Sequence, residues 1–231
     1  MVGTGQAYKG LALGGKASRS LSRNPPAGLC WGMLTRFALL LGAFAAPAVA
    51  QHTPADLTGP PVASSDLVPV AIDTSLGRIV VALDRTRAPK TTANFLAYVD
   101  ARKYDGESFY RAMPYGSGGL IQGGIRSDTR KLNKPVEFES TDRTGLSNTA
   151  GTISMAANAP GTAQAEFFIL TTDIKAFDGA NGFAAFGQVV EGMDVVKAIF
   201  AAPVSPTKGE GAMKGEMLDP PVRIIKMSRA K

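Results

Sequence analysis

The chain has 231 residues, 45% of them hydrophobic and 19% charged, which is enough to bury one sizeable core and argues against a disordered or fibrous protein. The net charge of +6 belongs mainly to residues 1–50, which contain no Asp or Glu; the remainder holds 20 basic and 19 acidic residues, too even a balance for neutralising a nucleic-acid backbone. The single Cys, Cys30, and the single His, His52, both precede residue 67. This argues against a disulfide framework, a Cys nucleophile and a metal site built on His or Cys in the rest of the chain.

The N-terminal segment has the pattern of a secretory signal peptide. Arg36 precedes an apolar run over residues 37–50, which is shorter than the ~20 residues of a membrane-spanning helix and ends in the small residues Ala48 and Ala50. We expect residues 1–50 to form a leader with its core at 33–50, cleaved on export so that no stable membrane span is left. An uncleaved anchor is the alternative, and Met33 is a second candidate start residue.

Residues 51–66 are rich in Pro, Ser and Thr and show no apolar period, which is typical of a flexible, extended linker. The folded domain is therefore predicted to cover residues 67–231. It opens with two strand-like runs, 68–74 and 79–83, around a turn at Gly77, as in a β-hairpin. Pro89 then marks the start of an amphipathic helix that continues to residue 99.

Short strand-like pieces separated by Gly follow, at residues 108–113, 120–122, 151–156, 167–171 and 184–190. A second helix is predicted over 192–200 and a closing strand over 222–227, with the Gly- and Pro-rich residues 203–221 as a loop. Short strands with frequent turns favour a barrel or a sandwich over a fold of alternating strands and helices.

Several motifs occur in a fixed order between Leu67 and the C-terminus. They are Leu76-Gly77-Arg78-Ile79, Ala88-Pro89-Lys90-Thr91, Asn94-Phe95, Tyr104-Asp105-Gly106, Phe109-Tyr110-Arg111, Gln122-Gly123-Gly124, Gly151-Thr152-Ile153-Ser154-Met155-Ala156, Glu166-Phe167-Phe168-Ile169 and Phe186-Gly187-Gln188-Val189. Each motif alone is weakly specific, whereas their joint order and spacing are strongly specific. With these motifs the chain resembles the cyclophilin-type peptidyl-prolyl cis/trans isomerase family, as a divergent, secreted bacterial member.

The resemblance implies a mainly β fold, a closed eight-stranded antiparallel barrel capped by two helices, with a substrate groove on its outer face. It also implies an isomerase that accelerates rotation about Xaa-Pro bonds and so assists protein folding. Amide resonance opposes that rotation by ~18–20 kcal/mol, and a catalyst needs only to bind the twisted amide more tightly than the planar forms. We expect proline-containing polypeptides as partners, no nucleic acid, no metal or other cofactor, a monomer, and a bacterial periplasm as the location.

By their places in the motifs, Arg111, Gln122 and Phe168 are the implied catalytic residues. The Arg111 guanidinium would donate to the proline nitrogen, which becomes an acceptor when the amide twists. Gln122 would hold a substrate carbonyl or Arg111, and Phe168 would form the floor of the proline pocket. Each also has an ordinary alternative, namely a surface ion pair, a loop position and a core aromatic, respectively. The implied substrate-binding residues are Leu120, Ala156, Ala157, Glu166, Phe177, Phe183 and Tyr115.

The sequence departs from the family pattern around the groove. The segment between Pro114 and Gln122 is longer than usual, and Gly119 stands where the family has a pocket Phe, so Tyr115 is the candidate for supplying the missing ring. Glu166 replaces a Gln. A carboxylate near Arg111 would either lock the guanidinium in place or hold it away from substrate, and spacing alone leaves both open.

These altered pocket walls leave two other functions open. One is a peptide-binding or chaperone module that has lost turnover on the same barrel, because a fold does not by itself fix a function. The other is a structural or interaction domain, which requires the groove to be filled by residues 115–119.

Overall fold

A hairpin of two antiparallel strands opens the part of the chain that the structure describes. The structure is a computed structural model and describes residues 66–230, so the predicted leader and all of the predicted linker except Asp66 lie outside the described residues. The helices are α1 (Pro89–Asp100), the single turn α2 (Thr141–Thr144) and α3 (Met193–Phe200). The strands are β1 (Leu67–Thr74), β2 (Gly77–Asp84), β3 (Ser108–Tyr115), β4 (Gly118–Gly124), β5 (Thr152–Met155), β6 (Phe167–Leu170), β7 (Ala185–Glu191), β8 (Val204–Ser205) and β9 (Met217–Arg229).

The strands form a closed antiparallel barrel. Neighbours follow the order β1-β2-β7-β5-β6-β4-β3-β9, and a further pairing of β9 with β1 closes the sheet on itself. Within residues 66–230 this gives eight barrel strands, with the two-residue β8 added beside β9. The predicted fold class is thereby confirmed.

The barrel interior is filled by alternate residues of each strand. Ile121, Ile169 and Ile153 are cross-strand neighbours on β4, β6 and β5, and all three are fully buried. Since successive side chains of a strand point to opposite faces, the residues on either side of these three face outward. Aromatic rings with centroids 5.2 to 5.6 Å apart complete the core: Phe95, Tyr104, Phe109, Phe167 and Phe186.

Helix α1 begins at Pro89, as predicted, because the missing N–H of proline is not needed in the first turn of a helix. The N–H groups of Lys90 and Thr91 donate to the Glu139 carboxylate at 3.1 and 2.7 Å. A carboxylate far along the chain therefore caps the helix, and its negative charge interacts favourably with the positive end of the helix dipole. The buried face of α1, which includes Phe95, packs into the same core as the barrel strands.

The C-terminal part differs from the sequence prediction. Residues 203–221, predicted as a loop, contain β8 and the start of β9, which begins at Met217 rather than near residue 222. Asp219, Pro220 and Pro221 interrupt any apolar alternation there, and pairing with β3 and β8 makes the segment a strand. Among residues 66–230 no helix is long and apolar enough to cross a membrane.

Candidate active site

Three neighbouring strands place Arg111, Gln122 and Phe168 in one row. Arg111 on β3 pairs in register with Gln122 on β4, which pairs in register with Phe168 on β6. The adjacent residues Ile121 and Ile169 fill the barrel interior, so this row lies on the outer face of the sheet. Strands are spaced ~4.8 Å apart, which separates the backbones of Arg111 and Phe168 by about 10 Å, with Gln122 between them. The structure therefore brings together the three residues that the sequence assigned to catalysis.

The Arg111 guanidinium is held by two acceptors. Its Nη1 donates to Gln122 Oε1 at 2.9 Å and its Nε donates to Glu216 Oε2 at 2.7 Å, while Nη2 lies 2.7 Å from that same oxygen. The side chains of Arg111 and Glu216 are only 14% and 18% exposed. Since Nη1 and Nη2 carry two N–H groups each, one N–H of each is left without a partner among residues 66–230. The guanidinium can therefore still donate to a group that approaches this face of the sheet.

An aromatic cluster lies beside this row. The rings of Phe168, Phe177 and Phe183 pack edge to face, with centroids 5.7, 5.2 and 4.7 Å apart. They belong to a hydrophobic cluster distinct from the barrel core, so Phe168 is an outer-face residue although it is only 2% exposed. We call this cluster the proline pocket, after the role that the resemblance implies for Phe168; its other members are Leu120, Leu170, Ile174, Met113 and Ala156.

Asn148 holds the proline pocket from behind. This residue is fully buried, and its Nδ2 donates to the carbonyls of Phe177 at 3.0 Å and Phe183 at 3.3 Å and to the Asp178 carboxylate at 2.9 Å. Its Oδ1 accepts a 2.7 Å hydrogen bond from the Ser154 hydroxyl on β5. Burial acts to raise the pKa of Asp178, but hydrogen bonds, including those from Asn148, hold that pKa below its ordinary value. One buried amide thus fixes both aromatic walls to the barrel.

Glu166 has a different partner from the one that the sequence suggested. Its Oε1 lies 3.6 Å from Arg126 Nε, whereas Arg111 has Glu216 as its carboxylate partner. Arg126 also lies over the Tyr110 ring, 4.5 Å from the ring centroid. Burial raises the pKa of Glu166, while Tyr110, the charges of Arg126 and Arg111, and Gln122 act in the opposite direction. The direct carboxylate partner of Arg111 is therefore Glu216, which the sequence did not suggest, while the charge of Arg111 still acts on Glu166.

A family model described as cyclophilin type peptidyl-prolyl cis-trans isomerase/CLD matches residues 69–229. The chain belongs to the cyclophilin family. The matched range contains the whole row of Arg111, Gln122 and Phe168 and the proline pocket. Family membership confirms the activity predicted from the sequence, peptidyl-prolyl cis/trans isomerisation.

Two bacterial relatives and one solved structure illustrate the similarity. Peptidyl-prolyl cis-trans isomerase cyp18 of Streptomyces antibioticus is 36% identical over 170 residues, covering 70% of this chain and 96% of that protein. Peptidyl-prolyl cis-trans isomerase A of Dickeya dadantii is 38% identical over 147 residues, covering 61% and 75%. The fold is similar to that of a cyclophilin type isomerase of Cryptosporidium parvum, with a TM-score of 0.59 and 22% identity over 71% of this chain and 98% of that one.

The β3–β4 hairpin departs from the cyclophilin pattern in a way that the structure explains. A Cβ atom at Gly119 would lie 1.9 Å from the Met113 carbonyl oxygen and 2.7 Å from the Phe200 ring, so no ring-bearing residue fits there. Tyr115 pairs with Gly118 near the hairpin tip, is 46% exposed and is a member of neither hydrophobic cluster. The structure therefore does not place the Tyr115 ring in the proline pocket, and Tyr115, Gly116 and Ser117 at the hairpin tip are exposed.

Ala156 and Ala157 directly follow β5. Ala156 belongs to the proline pocket, and its N–H donates to the Glu166 carbonyl at 2.9 Å. Ala157 is half-buried, and its backbone N–H and C=O have no hydrogen-bond partner among residues 66–230. These two backbone groups are therefore open to pairing with another extended chain.

Sequence reasoning missed Glu216 and Asn148. Glu216 lies 105 residues from Arg111, in a segment that was read as a loop, and no local pattern joins the two. Asn148 carries no motif of its own, and only the fold brings it behind Phe177 and Phe183.

Proposed function

We propose that Arg111, Gln122 and Phe168 form the catalytic centre through which this cyclophilin accelerates rotation about Xaa-Pro bonds of polypeptides outside the cytoplasm. The observation that carries the assignment is the continuous row across β3, β4 and β6, in which a guanidinium with spare N–H groups lies beside an aromatic cluster. Leu120, Phe177 and Phe183 would surround the proline ring, and Ala157 would pair with the backbone before it.

Catalysis by this centre requires no bond to be made or broken. In the planar amide the nitrogen lone pair is delocalised, which gives the barrier of ~18–20 kcal/mol. In the twisted amide the lone pair returns to the proline nitrogen, which then accepts a hydrogen bond from a free N–H of Arg111. The proline pocket holds the ring while the preceding residue rotates. Because the hydrogen bond forms only in the twisted state, it lowers the barrier rather than tightening substrate binding.

The proposed location rests on the leader. Residues 37–50 have the apolar run and small-residue end of a cleaved secretory signal, and the relatives from Streptomyces antibioticus and Dickeya dadantii are bacterial. We place the mature domain in the periplasm, where it would act as a monomer on newly exported chains. Fractionation of cells producing the whole chain, with N-terminal sequencing of the exported form, tests this. Accumulation of the protein in the cytosol with residues 1–50 still attached would contradict this location.

NMR titration tests the site itself. Isotope-labelled protein is titrated with a short peptide containing Ala-Pro and with the same peptide carrying Ala in place of Pro. We expect resonances of Phe168, Leu120 and Gln122 to shift with the first peptide only, and cis/trans exchange of that peptide to accelerate. Proline-dependent shifts without acceleration would favour a binding module that has lost turnover. This is the second candidate function, because Arg111 is already engaged by Glu216. Shifts elsewhere on the barrel would contradict the proposed site.

A further inference from the structure

Glu216 contacts the candidate catalytic arginine from the position just before the neighbouring strand β9. It directly precedes β9, and its backbone carbonyl accepts a 2.9 Å hydrogen bond from the N–H of Ala112, the residue after Arg111. Met217, the next residue, pairs in register with Arg111 itself. The strand pairing therefore fixes the backbones of Arg111 and Glu216 relative to each other. As a result, the Glu216 carboxylate has few positions that it can occupy.

The ion pair with Glu216 uses the side of the guanidinium that is formed by Nε and Nη2. Glu216 Oε2 lies 2.7 Å from both Nε and Nη2 of Arg111, and Gln122 takes one N–H of Nη1. A planar guanidinium anchored at Nε and at both terminal nitrogens cannot rotate about its last torsion without losing these bonds. The N–H groups that remain free are therefore held in fixed directions.

We propose that Glu216 is a positioning residue of this isomerase, which orients Arg111 through an ion pair so that its free N–H groups meet the proline nitrogen. This inference rests on the proposed role of Arg111. Gln122 contributes less, because its neutral amide oxygen lacks the attraction between opposite charges that the Glu216 carboxylate adds to its hydrogen bond with the guanidinium. Both partners are mostly buried, so removing the carboxylate leaves a poorly solvated positive charge that turns toward other acceptors.

The test compares Glu216→Ala and Glu216→Gln with Glu210→Gln, which removes an acidic side chain of the same segment that is exposed and makes no ion pair among residues 66–230. We expect Glu216→Ala to lower kcat about tenfold with KM within about twofold, and Glu216→Gln to lie between it and the unmodified protein. Glu210→Gln should match the unmodified protein. Glu216→Gln keeps the side-chain shape, so it serves if Glu216→Ala does not fold.

A second readout follows the ion pair without reference to activity. The Nε–Hε resonance of Arg111 should be sharp and distinct in the unmodified protein and should shift or broaden in both Glu216 variants. An unchanged resonance, or a kcat that stays the same or rises in Glu216→Ala, would overturn the positioning role; a rise would mean that Glu216 restrains Arg111. If Arg111→Ala is as active as the unmodified protein, Arg111 is not catalytic and Glu216 cannot be a positioning residue. This holds even if the Arg111 Nε–Hε resonance confirms the ion pair with Glu216.

Discussion

Glu166 illustrates how one residue acts through the partner that it actually has. Its carboxylate pairs with Arg126 rather than with Arg111. We therefore expect Glu166→Gln to leave kcat within about threefold of the unmodified value, since no bond to Arg111 is lost. Peptide exchange rates measured for the two proteins under the same conditions check this. A gain or loss of tenfold or more would restore Glu166 as a direct partner of Arg111.

The stability difference between the unmodified protein and Glu166→Gln should depend on pH. Burial raises the pKa of Glu166 above its ordinary value of 4.5, so the folded state binds the proton more strongly than the unfolded state. Raising the pH from about 4.5 through the raised pKa therefore costs the unmodified protein stability. We expect its free energy of unfolding to fall relative to that of Glu166→Gln over this interval and to run parallel above it. Urea unfolding at a series of pH values measures the difference, and a relative rise with pH would contradict the assignment.

Gly119 is fixed by a close approach of backbone atoms. A Cβ atom there would lie 1.9 Å from the Met113 carbonyl oxygen, which cannot move without disturbing β3. We expect Gly119→Ala to lower the free energy of unfolding by about 2 kcal/mol or more. Ser117→Ala, in the exposed turn of the same hairpin, is the control and should change it little. Equal stability of the two variants in urea unfolding would contradict this account.

At the scale of elements, the segment that carries Phe177 and Phe183 depends on Asn148. Removing the amide in Asn148→Ala leaves two backbone carbonyls and the Asp178 carboxylate without their shared donor. The pocket should then loosen while Arg111 keeps its partners. We expect KM for a proline peptide to rise several-fold with a smaller change in kcat.

Hydrogen exchange supplies a matched readout for that variant. The amides of Phe177 and Phe183, which donate to Ile174 and Phe177 carbonyls, should exchange faster in Asn148→Ala. Asn181→Ala, an exposed Asn of the same segment, should leave both exchange and KM unchanged. Equal behaviour of the two variants would show that the pocket does not depend on Asn148.

Elements with their own local signal were predictable from the sequence. The opening hairpin, α1, α3 and the short strands between them were predicted because alternation, helical spacing and Pro or Gly punctuation lie within each segment. The beginning of β9 was missed because Asp219, Pro220 and Pro221 hide it, and pairing with β3 and β8 decides its structure. Within the site, the motifs led to Arg111, Gln122 and Phe168. Glu216 and Asn148 were not predictable, since only long-range contacts reveal them.

At the scale of the whole molecule, the barrel closes where its first strand, β1, pairs with its last strand, β9. Val70 on β1 pairs with Arg229 on β9, so residues near both ends of the described chain are needed for one closed sheet. We expect deletion of residues 1–65 to leave the free energy of unfolding and the isomerase rate unchanged. Deletion of residues 222–231 should abolish folding, because it opens the barrel between β1 and β3. Circular dichroism and urea unfolding of the two truncated proteins check this, and a folded C-terminal truncation would contradict it.

The central claim is that a guanidinium on the outer face of this barrel catalyses Xaa-Pro rotation. It is tested most directly by cis/trans exchange of an Xaa-Pro peptide, followed by NMR exchange spectroscopy with the unmodified protein and with Arg111→Ala at matched fractions of bound peptide. The account predicts acceleration by the unmodified protein that falls at least about tenfold in Arg111→Ala while the peptide still binds. Equal acceleration by both proteins would contradict it.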